Sequence, residues 1–347
     1  MPQLSITQTG FVRYRVNSLH LSADGRFVGL RRGRYVSLYD AAAGKFLLNF
    51  LLSSRYKRLT IAPNGMLLAA YTRNELVMIP AREQMRGGRV RRRLDDESCH
   101  SMAFTADGEH LWCAFQKLGH TGRLALLRSS TLEEVAAVPV PQGKIYSWSY
   151  TTPDWPEASL TLHPATDTLA VTRTAGDTFI GTFFFQRDGE RIQQMPAYVD
   201  SAGDVNPPYH TFFSQDGTRF AAAESGLLWL WALPDMTLIG RDFHGSMPSL
   251  RSADGAAKEY AGEFAFIYPD YLVFAVVSEV FRKSIHVHEL RVLDTRTREI
   301  VHTLPLPQSL GYDGWQFMHY NFCAMSGRTL VGTTQSGTFL YQLDLTL

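Results

Sequence analysis

His286 and His288 stand two residues apart in the run SIHVHEL, with Glu289 beside them. On a strand that spacing projects both rings from one face, which begins a metal pair. A metal site needs a third ligand, whereas a polar strand face needs none, and no metal is expected here. Four aspartates, Asp154, Asp200, Asp204 and Asp313, fall in turn-rich segments. Carboxylates converging from such segments can carry out hydrolysis or elimination, with or without a divalent ion, and they serve equally well as Asx-turn residues. Ser225-Gly226 and Ser336-Gly337 belong to hairpin loops, not to the strand-to-helix elbow that an esterase nucleophile requires. No glycine opens a helix after a strand, so no phosphate-cradling loop is expected. No catalytic residue or cofactor is assigned, and the chain reads as a non-enzymatic protein whose rival reading is a hydrolase or lyase.

Basic and acidic residues nearly cancel, 34 against 33, for a net charge of +1. One segment departs from that balance. Between Arg82 and Arg93, REQMRGGRVRRR holds six arginines. Arg86, Arg89, Arg91, Arg92 and Arg93 form a stripe able to grip phosphate or an acidic partner. Strand alternation puts Arg89, Arg91 and Arg93 on one face and Val90 and Arg92 on the other, which is also how a solvated outer strand reads. Nucleic-acid binding asks for a broader basic face with interleaved aromatics, so the solvated strand is the favoured reading.

Rings gather in the longer connecting segments: Tyr146, Trp148, Tyr150, Trp155, Tyr198, Tyr209, Tyr260, Tyr312 and Trp315. Aromatic residues held on a rigid scaffold supply large contact area at low entropic cost, which suits recognition of a protein. Tyr146, Trp148, Tyr150, Trp155, Tyr209, Tyr260, Tyr312 and Trp315 are therefore the candidate partner-binding residues. The alternative for each is that it packs its own loop onto the rim.

The elements that position these groups follow from a weak repeat. Seven turn signals recur, at Asp24-Gly25, Asn64-Gly65, Asp107-Gly108, Thr166-Asp167, Asp216-Gly217, Pro269-Asp270 and Ser326-Gly327. Each is followed by alternating apolar residues, a second turn and another apolar run. Alternation with Asp-Gly or Asn-Gly turns predicts antiparallel hairpins, four strands to a unit, and no stretch has a sustained helical period. Self-similarity at roughly 40 to 55 residues marks a propeller or a solenoid.

The chain resembles the WD-repeat and related bacterial β-propellers over nearly its whole length. The Trp-Asp strand ending of that family survives as Tyr39-Asp40, Leu293-Asp294 and Leu343-Asp344, and its Gly-His pair once, at Gly119-His120. The resemblance implies an all-β, seven-bladed propeller of four-stranded blades at 17–55, 56–97, 98–141, 157–197, 208–243, 262–306 and 315–347. The last copy provides three strands, so the segment Leu4 to Val16 is expected to supply the fourth and to remove an open sheet edge.

Connector lengths place the elaboration. The segments after the third to sixth blades are long, as are Gln116 to Gly122 and Ser278 to Ser284, and all emerge on one face over blades three to seven. One domain is expected across 1–347. Three widely spaced cysteines, Cys99, Cys113 and Cys323, fit reduced core thiols. No apolar run is long enough to span a membrane, and the first residues lack the order of a secretory signal. A cytoplasmic, monomeric protein of a multi-component bacterial system, acting on a protein partner, is the resulting expectation.

Overall fold

The structure is a computed structural model that describes residues 2–56, 58–72, 74–81, 88–117, 122–141, 156–163, 165–175, 178–200, 210–224, 227–241, 249–251, 258–280, 284–313 and 323–347. Among these residues every regular element is a strand, as apolar alternation and β-branched and aromatic residues dictate. The chain divides into two compact units, Met1–Leu52 with Ser214–Ala232 and Thr237–Leu347, and Ser53–Phe213 with Leu233–Met236.

The first strand, β1 (Gln3–Val12), precedes the sheet β2 (Ser18–Leu21), β3 (Phe27–Arg32), β4 (Tyr35–Asp40) and β5 (Lys45–Leu51). Three sheets of the same plan follow. They are β6 (Arg58–Ile61), β7 (Leu67–Thr72), β8 (Glu75–Pro80) and β9 (Val90–Arg93); β10 (Glu97–Phe104), β11 (His110–Lys117), β12 (Arg123–Arg128) and β13 (Glu134–Pro139); and β14 (Pro156–Leu162), β15 (Thr168–Ala175), β16 (Thr178–Asp188) and β17 (Arg191–Asp200). The fifth sheet orders β18 (His210–Phe213), β19 (Arg219–Glu224), β20 (Leu227–Ala232) and β21 (Thr237–Arg241). The sixth has five strands where four are expected: β22 (Ser249–Arg251) is added before β23 (Lys258–Tyr268), β24 (Tyr271–Val280), β25 (Ser284–Asp294) and β26 (Glu299–Asp313).

The last sheet orders β1, β29 (Thr338–Thr346), β28 (Thr329–Thr333) and β27 (Cys323–Ser326). The amino-terminal strand therefore completes it, antiparallel, from Gln3 opposite Thr346 to Val12 opposite Thr338. Leu4 is buried in a core shared with Val273, Leu290, Leu343 and Leu345, and Val12 in another with Val28, Leu30 and Leu340. One strand thus bridges the cores on both sides of its sheet. A bulge between Gln8 and Gly10 frees Thr9, whose Oγ1 donates to the Ala41 carbonyl at 2.7 Å. Gly44 lies so close to the Thr9 carbonyl that a Cβ would overlap it, and its φ of 60° also excludes most side chains.

The turn signals carry a second, buried feature. In the first copy Ser22 Oγ accepts from the Phe27 N–H at 2.9 Å and donates to Asp24 Oδ1 at 2.5 Å. Thr105 does the same for His110 (3.0 Å) and Asp107 (2.6 Å), and Ser214 for Arg219 (2.9 Å) and Asp216 (2.7 Å). Ser22, Thr105 and Ser214 are all buried. The turn itself closes through Gly25, Gly65, Gly108 and Gly217, each donating to the carbonyl three residues earlier.

Deleting residues 1–16 should lower the melting temperature sharply, because each of Leu4 and Val12 alone contributes about 1.5–3 kcal/mol of burial. A melting curve like that of the full chain would refute the strand's role. Thr105→Val leaves the His110 N–H without its hydroxyl and should cost about 1–3 kcal/mol in urea unfolding, where an unchanged midpoint would show the hydroxyl to be dispensable.

Candidate functional site

The second unit contains a small pocket in the gap between its third and fourth sheets, lined by His100, Ala114, Phe115, Gln116, Gly122, Arg123, Val140 and Arg173. It has room for about one water-sized group. Strand geometry explains its composition. Leu169, Val171 and Arg173 alternate onto one face of β15, and the first two are sealed in a core with Trp112, Leu124 and Phe185. Arg173 continues that buried row and is itself 5% exposed. Opposite it on β16 stands Gly181, which has no side chain to crowd the arginine. Gly122 serves the pocket similarly, since a Cβ there would press on Gln116 Oε1.

The two arginines differ in their partners. Arg123 donates to Glu97 through Nε at 2.6 Å and an η nitrogen at 2.5 Å, and pairs with Glu134 at 2.9 Å. Its guanidinium lies 4.8 Å from the centre of the Phe115 ring. The Arg123 hydrogen bonds hold the Glu97 carboxyl below its ordinary value against the opposing effect of burial. Arg173 donates to the Pro141 carbonyl at 2.5 Å and meets no carboxylate among the described residues. Burial alone acts on its pKa, lowering it.

A second polar cluster joins the same two sheets at their turn ends. Arg187 donates to Asp167 through Nε (2.9 Å) and an η nitrogen (2.6 Å), to Asp107, and to His110 Nδ1 (2.8 Å). Asp167 also accepts from the Ala106 N–H at 3.1 Å. Asp107, Glu109 and His110 bring three ligating atoms within 4.8 Å of one another. Arg187 already occupies Asp107 and His110 Nδ1, so the cluster is an arginine-centred bridge.

The residues singled out from sequence are distributed differently from expectation. Tyr146, Trp148, Tyr150, Trp155, Tyr209, Trp315, Arg86, Asp154 and Asp204 lie outside the described residues. Tyr260 and Tyr312 lie on strands and not in connecting segments, with Tyr260 in β23 between Ser249 and Val277 and Tyr312 in β26 opposite Ile285. Several supposed connectors are continued strands, because β17 runs to Asp200 and β26 to Asp313 before pairing stops. Of the basic stripe, Arg89 and Arg93 are exposed, whereas Arg91 pairs with Glu75 (3.4 Å) and Arg92 with Glu134 (3.1 Å). His286, His288 and Glu289 sit on β25 half-buried, in strand register with Gly311, Ser278, Val276 and Pro305 where pairing is regular. Cys99, Cys113 and Cys323 are buried free thiols. Sequence reading missed Arg173 and Arg187; the available signal for Arg173 was an arginine in TLAVTRTA, on the buried face that Leu169 and Val171 begin.

Seven antiparallel sheets among the described residues, the last completed by the amino-terminal strand, give the fold of a seven-bladed β-propeller. Among solved structures, the chain is similar to the β-propeller domain of Cps50 (Swd1) from Myceliophteria thermophila, with a TM-score of 0.60 and 11% identity over 97% of this chain and 99% of that one. At that identity the likeness is one of fold. No family model and no curated protein sequence matches the chain.

The Arg187 bridge has a pH signature. Burial raises the Asp107 pKa, but hydrogen bonds from Thr105, the Glu109 N–H and Arg187 outweigh it and hold the carboxyl below 3.8. Its contribution to stability is present above 3.8 and lost as pH falls through the lower folded value. His110 is held below 6.5, first by burial and then by Arg187, so its neutral form loses ground as pH falls below 6.5. Arg187→Met should therefore bring both folded values closer to 3.8 and 6.5 and flatten the stability loss below each. Parallel stability profiles for the two proteins between pH 3 and 7 would exclude the bridge, a range that about one unit on either side of these values spans.

Proposed function

We propose that this propeller is a non-enzymatic binding platform whose partner is a protein, engaged at the blade ends that carry the hairpins between second and third strands. The observation that carries this reading is strand length. β3, β4, β7 and β8 have 6 residues each, whereas β16 has 11, β24 10, β25 11 and β26 15. Part of the extra length of the fourth sheet continues toward the β15–β16 hairpin, where Ala175 pairs with Thr178 and Gly181 with Asp200, and the rest, Arg187 and Asp188, toward the β16–β17 hairpin. In the sixth sheet, considered by itself, the extension keeps Val280 opposite Ser284 and Ser284 opposite Asp313. Hydrogen-bonded extensions present a surface already ordered before a partner arrives, which removes part of the entropic cost of binding.

The resemblance to WD-repeat propellers supports the same class of function, since that fold type is associated with protein interactions. The aromatic candidates Trp148 and Trp155 belong to the segment that joins the third and fourth blades in sequence. The reading extends to a cytoplasmic role within a bacterial multi-component system.

In affinity capture from native lysate, the tagged wild-type chain should retain a protein that a Trp148→Ala/Trp155→Ala variant loses, with the variant's melting temperature within about 2 °C of wild type. Equal capture by both would remove these tryptophans from the interface, and loss of folding in the variant would make them structural.

A further inference from the structure

We propose that the pocket between the third and fourth sheets of the second unit binds a single carboxylate group, with Arg173 as its charge partner. Arg173 is buried to all but 5%, donates to the Pro141 carbonyl, and has no carboxylate of the described residues within ion-pair reach. A guanidinium in such a place retains forked N–H donors whose preferred acceptor is a planar carboxylate. Burying a charge without an opposite one is costly, and a bound anion offsets that cost.

The neighbouring charges fix the valence. Arg92 and Arg123 face Glu97 and Glu134 through contacts of 2.5–3.1 Å, two positive charges against two negative. That group is neutral as a whole, and among the described residues Arg173 leaves one positive charge over. The balance suits a monoanion. The pocket is small, which favours the three-atom carboxylate group over the five-atom phosphate. Apolar walls from Ala114, Phe115 and Val140 suit the carbon to which the carboxylate is attached, and Gln116 and His100 provide the remaining polar lining.

Two sources share this chemistry, a free small carboxylate and an acidic side chain presented on a peptide. This site is independent of whether Trp148 and Trp155 contact a partner. The probes are sodium acetate and the blocked tripeptide acetyl-Gly-Glu-Gly-amide, with sodium phosphate as the control. Each is titrated into arginine-15N-labelled full-length protein, with sodium chloride adjusted to hold ionic strength constant. Acetate should move one arginine Nε resonance saturably, that resonance should be missing from Arg173→Lys, and phosphate should leave it in place.

A response to acetate alone assigns the site to free carboxylates, and a response to both assigns it to acidic side chains as well. If Arg173→Lys does not fold, Gly122→Ala decides: its Cβ meets Gln116 Oε1 at 2.7 Å and displaces that side chain of the pocket lining, so acetate should bind more weakly than to wild type. No saturable shift with acetate in wild type, or one that persists unchanged in the variants, overturns the proposal.

Discussion

A hairpin that opens a buried sheet must satisfy the backbone N–H that follows its turn, and the repeat is built around that requirement. Ser22, Thr105 and Ser214 meet it with a buried hydroxyl that also fixes the turn aspartate. Where the hydroxyl is missing, other side-chain acceptors still order the turn through different N–H groups. In the second copy Ala62 stands at that position and Asn64 Oδ1 accepts from the Met66 N–H at 2.8 Å. In the fourth, His163 Nδ1 accepts from the Thr166 N–H at 2.8 Å. The repeat is weak in sequence because several side chains can order the same turn.

Once fixed, these turns become contact surfaces. In the first unit the turn at Gly25 fits so closely against the Ser326 carbonyl that a side chain would collide, and Ser326 Oγ donates back to the Ala23 carbonyl at 3.0 Å. In the second unit Gly108 packs against Asn64, and Arg187 ties the third turn to the fourth. Within each unit, neighbouring blades are thus locked at the end where the first and second strands meet. Toward the opposite ends the fourth and sixth sheets have lengthened strands.

This division explains what could be read from the chain. Asp-Gly turns and apolar alternation are local, and they disclosed the blades and the completion of the last sheet by β1. Strand extension is not local: VDSAG and SLGYD contain turn formers, yet pairing with β16 and β25 carries those strands to Asp200 and Asp313. Propensity yields to a partner strand that only the fold supplies. The arginine stripe shows the same limit. Six arginines in a row of twelve suggest a cationic patch, but Glu75 and Glu134 arrive from β8 and β13 to claim Arg91 and Arg92.

Arg123 and Arg173 make the point at a single pocket. Both are strand arginines beside apolar residues, and nothing in their immediate sequence separates them. Arg123 is countered by glutamates on β10 and β13, the two strands that flank β11 and β12, so its charge is spent on holding one blade together. Arg173 faces across to the neighbouring blade, where the carbonyl of Pro141 is its acceptor and the glutamates already have partners. A structural arginine and a binding arginine are therefore distinguished by the charge left over after the fold has paired its own groups. In this pocket that remainder is one positive charge, buried on a strand whose other inward residues are apolar.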